Sequence, residues 1–169
     1  MPSPPLTPLA AAALHVEPAP ERVLEVECGE GDGALFLARE FPAARVRGVD
    51  RSAARVRAAT ARVGLDPEGR VAFKQGSASS LPFPDDLFDL VAVLDGRPDA
   101  AELARVLRPG GQLLLARSQR PGAFARLGEG LLRRRLANLG LRFEMSAAAG
   151  DGSFSVARLT VGGRPGSAE

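Results

Sequence analysis

The chain has 169 residues, 45% hydrophobic and 25% charged, with a formal net charge of +2. That length suffices for one domain with a sizeable core, and the net charge is too small for a strong basic field. Cys28 is the only cysteine, which excludes an internal disulfide and makes a reducing compartment the expectation.

The ends, 1–8 and 162–169, are rich in Pro, Gly and Ser and are expected to be disordered around a single domain spanning 1–169. Met1-Pro2-Ser3-Pro4-Pro5 has no basic residue, and the apolar run 9–14 is too short for a leader. Residues 6–14 have room for a single short helix. No stretch approaches the ~20 apolar residues of a membrane span. A cytoplasmic protein without membrane contact is the expectation.

Beyond that point strands and helices alternate. Apolar, β-branched runs predict strands at 22–26, 45–49, 70–74, 88–94 and 112–116. Helices are predicted at 33–40, 52–63 and 98–107. Ser52 is a good N-cap, Pro98 suits a first turn, and Pro109-Gly110-Gly111 ends the helix before it. Repeated βα units give a mostly parallel sheet with right-handed crossovers. A helix at 123–138 and two strands, 141–146 and 153–161, complete the chain. Asp151-Gly152 is the predicted turn between those strands.

The densest signal lies at 22–33. The run Val23 to Val26 ends in Gly29-Glu30-Gly31-Asp32-Gly33, and an Ala-rich helix follows. Strand, glycine turn and helix together make a nucleotide pocket. Glycine permits positive φ and close approach of a ligand to the main chain, and the helix start presents unpaired N–H groups. Asp50, about twenty residues on, ends the second strand where a carboxylate can accept from both ribose hydroxyls. Gly29-x-Gly31-x-x-Ala34 also fits the dinucleotide fingerprint, so an NAD(P)-dependent reductase is a minor alternative.

Further segments narrow the choice. Gly76-Ser77-Ala78-Ser79-Ser80-Leu81-Pro82-Phe83-Pro84-Asp85 precedes Leu87-Phe88-Asp89-Leu90-Val91, and Leu107-Arg108-Pro109-Gly110-Gly111 precedes a further apolar run. With the glycine turn and Asp50, this order closely resembles the class I methyltransferases that use S-adenosylmethionine, over roughly residues 20–118. The resemblance implies a doubly wound α/β, Rossmann-like fold. Its mostly parallel seven-stranded sheet has helices on both faces and a C-terminal antiparallel hairpin. It implies methyl transfer from S-adenosylmethionine to a small-molecule acceptor.

The resemblance also implies site residues. Glu25 would help to hold the methionine end of the cofactor, and Cys28 and Gly29 would line it with backbone. Gly31 would make the tight turn. Asp50 would accept from the ribose, with Arg51 beside the adenine and Ser77 and Ala78 at its edge. Leu94 and Asp95 would border the sulfonium and the acceptor. Glu27 stands where the family has glycine and Ser77 where it has aspartate. Glu27 adds bulk and negative charge near the cofactor carboxylate. These departures support the alternative of a degenerate, inactive relative serving as a structural or interaction module.

Other candidates are weaker. Asp95 is the best general base by position, or else it caps the helix starting near Pro98. His15, the only histidine, reads as a surface residue. No Cys/His cluster suggests a metal. Arg133-Arg134-Arg135 point in different directions on a helix, and without Trp or Tyr for stacking they argue against nucleic acid.

Overall fold

A computed structural model describes residues 4–161. After a 3-10 turn at Pro4–Leu6 come α1 (Thr7–Ala13), β1 (Arg22–Val26), α2 (Asp32–Glu40), β2 (Arg45–Asp50), α3 (Ala53–Ala61), β3 (Val71–Gln75) and β4 (Phe88–Leu94). Then come α4 (Ala100–Val106), β5 (Leu107–Arg117), α5 (Ala123–Asn138), β6 (Leu141–Ala149) and β7 (Gly152–Leu159).

The strands form one seven-stranded sheet in the order β3-β2-β1-β4-β5-β7-β6. The first five are mutually parallel; β7 runs antiparallel to β5 and pairs with β6 in a hairpin. Strand order reverses between β1 and β4, which leaves a crevice beyond their carboxyl ends.

Alternation along each strand divides the core between the two faces. Val23, Leu90, Ala92 and Leu114 pack with Leu9 of α1 and Leu37 of α2. Leu24, Val91, Val93 and Leu113 pack with Leu103 of α4 and Leu136 of α5. Phe88 through Val93 are all buried, as expected of a central parallel strand covered on both faces.

Polar residues fix the ends of these elements. Asp89 Oδ2 accepts from the main-chain N–H groups of Glu21 and Arg22 at 2.7 and 2.8 Å, while its Oδ1 pairs with Arg108 at 2.6 Å. The aspartate of Phe88-Asp89 and the arginine of Leu107-Arg108 therefore lock the entry to β1. Arg105 ties down the Leu81–Asp85 segment through the carbonyls of Leu81 and Phe83 and the carboxylate of Asp85.

Four sequence expectations change. Residues 4–8 are ordered rather than frayed: Leu6, Leu9 and Ala12–Ala13 form a buried stripe at helical spacing, and Pro8 is tolerated in the first turn. Residues 1–3 and 162–169 lie outside the described residues. The helix at 98–107 starts at Ala100, because Asp99 caps it by accepting from Ala101 and Glu102 N–H. Strand β5 begins at Leu107 rather than 112, with an irregularity opposite Phe88–Leu90 that absorbs the Pro-Gly-Gly segment. The hairpin turn is Gly150-Asp151, one residue early. Gly152 already belongs to β7, where a Cβ would sit 1.9 Å from the Arg117 carbonyl oxygen.

Candidate active site

Two open clefts meet at the carboxyl ends of the strands. The first, of about 600 Å³, has one wall from Arg51, Arg55 and the 77–79 turn and another from Leu94 to Arg97, with Asp50 and Glu27 between. The second, of about 740 Å³, lies between the loop after β4 and the outer side of α5. It includes Pro98, Phe124, Leu131 and Arg135 and shares Asp95 and Arg97 with the first.

The glycine turn is built as its sequence demands. Glu27, Gly29 and Gly31 have φ of 58°, 56° and 89°. Gly31 is the N-cap of α2, and a Cβ there would lie 2.8 Å from the Phe73 ring. Gly33 serves a different purpose: its missing Cβ leaves room for Glu25, whose Oε1 would otherwise be 2.0 Å away.

Glu25 lies beneath this turn, 2% exposed. Burial pushes its pKa up to about 8; the Ala34 N–H partly opposes the shift, and the nearby Asp32 and Asp50 charges add to it. Oε2 has no hydrogen-bond partner among the described residues. An orphan polar atom under a ligand turn is what an amino group or bridging water would satisfy. The glycine turn and this atom fit the methionine end of an S-adenosylmethionine.

Asp50 is 3% exposed and already occupied in part. Its Oδ2 accepts from Gly29 N–H at 3.0 Å and its Oδ1 from Ser52 N–H at 2.9 Å. Each oxygen keeps a second lone pair, Oδ2 lies 4.0 Å from Arg55 Nη1, and the side chain lines the first cleft. Ser77 Oγ shares a proton with Ser79 Oγ at 2.8 Å and accepts from Ser79 N–H, so it shapes its own turn. Ala78 lines the cleft beside it.

Cys28 turns inward. It is 5% exposed, and a Cβ on Gly48 would meet its sulfur at 2.9 Å. Burial, with Glu25 and Asp50 adding to it, pushes the thiol up to about 12, which leaves a protonated and inert side chain. Its contribution is backbone: Cys28 N–H donates to the Val49 carbonyl and Gly31 N–H to that of Cys28.

Asp95 does not cap the following helix; Asp99 does. Asp95 has φ 57°, donates its N–H to the Ala116 carbonyl and accepts from Ser118 N–H at 2.8 Å. It joins the ends of β4 and β5.

Glu27 does not hang into solvent. Its Oε2 accepts from the main-chain N–H of Arg97, and the carboxylate rests against Gly96, where a Cβ would come within 2.5 Å of it. The Gly96 carbonyl in turn accepts from Arg117 Nη1 at 3.0 Å, and Arg117 Nε pairs with Glu129 of α5 at 2.9 Å. The glycine turn, the loop after β4, β5 and α5 are thereby linked through one loop.

Of the residues the sequence pointed to, Glu27, Asp50, Arg51, Ser77, Ala78, Leu94 and Asp95 line the first cleft, while Glu25 lies buried beneath the glycine turn and does not line it. The sequence reading missed Arg55, Ser79, Gly96 and Arg97 on this cleft. Arg55 lies in the first turn of α3, three residues after the Ser52 cap that the sequence marks, a position that could have found it. No group of three or more His, Cys, Asp or Glu able to hold a metal occurs among the described residues.

The sequence profile described as "Methyltransferase domain" matches residues 23–111. Demethylmenaquinone methyltransferase of Thermus thermophilus is 39% identical over 124 residues, 68% of this chain and 56% of that protein. Phthiotriol/phenolphthiotriol dimycocerosates methyltransferase 1 of Mycobacterium ulcerans is 41% identical over 112 residues, 60% of this chain and 39% of that protein. The chain thus spans about half, or less, of the length of these relatives. A methyltransferase of Haloferax volcanii, solved with its Trm112 activator, superposes with a TM-score of 0.76 at 18% identity, covering 92% of this chain and 90% of that one. Geranyl diphosphate C-methyltransferase of Streptomyces coelicolor, solved with S-adenosyl-L-homocysteine, superposes at 0.73 and 15%, covering 89% and 76%. At such identities the structures speak for the fold alone. The profile covers more than half of the sequence and coincides with the strands that build the first cleft, and so this chain belongs to the class I S-adenosylmethionine-dependent methyltransferases.

Proposed function

We propose that the chain transfers a methyl group from S-adenosylmethionine to a small, largely apolar acceptor. The observation that carries this reading is the meeting of two clefts at Asp95 and Arg97: one is lined by Asp50 and the 77–79 turn, the other by Phe124, Leu131 and Leu132. The first suits a nucleoside; the second, where these apolar residues stand beside Arg97, Arg117 and Arg135, suits an apolar body with a polar end. Demethylmenaquinone methyltransferase, among the relatives, bears a name of the same chemical character.

When bound, the cofactor supplies a methyl on a sulfonium, which the acceptor's lone pair displaces in line while the C–S electrons return to sulfur. The protein holds donor and acceptor in line and excludes water. Asp50 and Arg51 would take the ribose and adenine, Ser77 and Ala78 the adenine edge, and Gly29, Gly31 and Glu25 the methionine end. Leu94 and Asp95 separate the two clefts. Asp95 is a positioning residue: the oxygen that faces Ser118 N–H fixes the junction. A cytoplasmic location belongs to the same reading; among the described residues no helix is long and apolar enough to cross a membrane.

Glu27 favours a second reading. Its carboxylate crosses from the glycine turn to the loop after β4, where the methionine end would lie. A chain strapped in this way binds the cofactor weakly and serves as an interaction module. Calorimetric titration with S-adenosylhomocysteine separates the two. Measurable binding, with no binding of NAD, supports the enzyme; absence of binding that Glu27→Gly restores supports the strapped module.

A further inference from the structure

Helix α5 carries a face that the fold does not use. Of its sixteen residues only Leu136 is buried. Phe124, Leu127 and Leu131 are 91%, 72% and 51% exposed. Their spacing of three and four places them along one side of the helix. Of the other exposed large apolar residues, Leu65 and Val161 stand singly, while Leu14 and Met145 line one cleft together with charged Glu17, Glu144 and Arg158.

The charges of α5 are sorted between its two sides. Glu129, its only acid, turns inward to Arg117 at 2.9 Å. Arg133 also turns inward, 4.0 Å over the Phe143 ring, and donates to Ser146 and Ser155 Oγ. Arg134 and Arg135 are exposed. Arg134 lies one turn beyond Leu131 on the Leu127 side and Arg135 on the Phe124 side. The outward face is therefore an apolar stripe with a cation on each flank and its acid withdrawn.

We propose that α5 is an interfacial helix that docks the protein on an anionic lipid surface. Phe124, Leu127 and Leu131 enter the acyl boundary, and Arg134 and Arg135 meet lipid phosphates. Interfacial helices combine these features: an apolar side that enters the headgroup boundary and arginines that reach anionic headgroups. Other occupants match less of the face. A second copy packed on the same stripe offers Arg134 and Arg135 no acid of α5 to pair with, since Glu129 is turned inward. Nucleic acid pairs with the arginines and leaves the stripe in water. Position agrees too: Phe124, Leu131 and Arg135 line the second cleft, so a lipid surface at α5 meets its mouth. The proposal rests on α5 and not on cofactor binding.

The test is sedimentation of the full chain with vesicles of phosphatidylcholine alone or mixed with phosphatidylglycerol. Binding is expected to the mixed vesicles only, weakening as salt is added. Leu127 and Arg134 line neither cleft and are exposed, so their variants should keep the melting temperature and S-adenosylhomocysteine affinity of the parent. Leu127→Ser and Arg134→Gln should each weaken binding to the mixed vesicles by roughly fivefold. Failure of the parent chain to bind mixed vesicles overturns the proposal, as does unchanged binding by both variants. A lipid-free dimer dispersed by Leu127→Ser assigns the face to a second copy and overturns it equally.

Discussion

The Glu27 carboxylate accepts a hydrogen bond from the main-chain N–H of Arg97, seventy residues away, and so joins the glycine turn to the loop after β4. The family resemblance implies glycine at this position, and φ of 58° shows that the backbone keeps a glycine-like conformation around a glutamate.

Replacement by glycine should tighten cofactor binding. Two unit charges ~6 Å apart at an effective dielectric of ~20 repel by ~3 kcal/mol, and solvent reduces this to ~1 kcal/mol, or about fivefold in affinity. Stability should change little. Loss of the Arg97 contact costs about 1 kcal/mol, and relief of a left-handed non-glycine residue returns a similar amount. Calorimetry of Glu27→Gly with S-adenosylhomocysteine checks this. A tenfold loss of affinity would make Glu27 a cofactor ligand, with the Arg97 N–H replaced by the methionine amino group on binding.

Asp50 should prove both structural and functional. Asp50→Ala leaves the N–H groups of Gly29 and Ser52 without their acceptor, at a cost of about 1–3 kcal/mol. Asp50→Asn keeps one acceptor oxygen and removes the charge, so it should lose less stability than alanine while losing comparable cofactor affinity. Urea unfolding alongside calorimetry distinguishes the roles. Equal affinity in Asn and parent chains would remove Asp50 from the cofactor site.

Glu25 makes stability depend on pH. Its ordinary value is 4.5, and burial raises it to about 8 in the fold. Between those values the native chain holds a proton that the unfolded chain has released, so stability falls as pH rises through the window. The fall is on the order of 5 kcal/mol. Glu25→Gln imitates the protonated carboxyl and should flatten the profile, with its advantage over the parent greatest above the window. Urea midpoints at both ends of the window measure this; parallel profiles for the two chains would assign the pH dependence elsewhere.

The sheet was legible in the sequence because its central strands are apolar and each strand is bounded by its own turn. Ser52 and the glycine turn were legible for the same reason: a cap or a positive φ acts within a few residues. What escaped is long-range. Nothing near Glu27 announces Arg97, nothing near Asp95 announces Ser118, and the need for Gly33 appears only once Glu25 folds beneath it. The short N-terminal helix was legible, but its burial escaped because the flanking prolines masked the apolar stripe. The strand start at Leu107 escaped because Pro-Gly-Gly reads locally as a stop, although Phe88 is waiting to pair with Leu107.

Asp95 allows the chemistry of the junction to be tested. Its left-handed backbone and its bond to Ser118 N–H both suit asparagine, which tolerates positive φ and retains an acceptor oxygen. Asp95→Asn should therefore keep stability within about 0.5 kcal/mol, and Asp95→Ala should lose about 1–3 kcal/mol from an unpaired N–H and a strained φ. As a positioning residue, Asp95 should also keep most of its turnover as asparagine, with the larger loss appearing in alanine. General bases contribute about a hundredfold or more. A drop of that size in kcat for Asp95→Asn, at unchanged S-adenosylhomocysteine affinity and melting temperature, would show that the carboxylate takes a proton from the acceptor. The pH profile of kcat would then gain an acidic limb that the asparagine chain lacks.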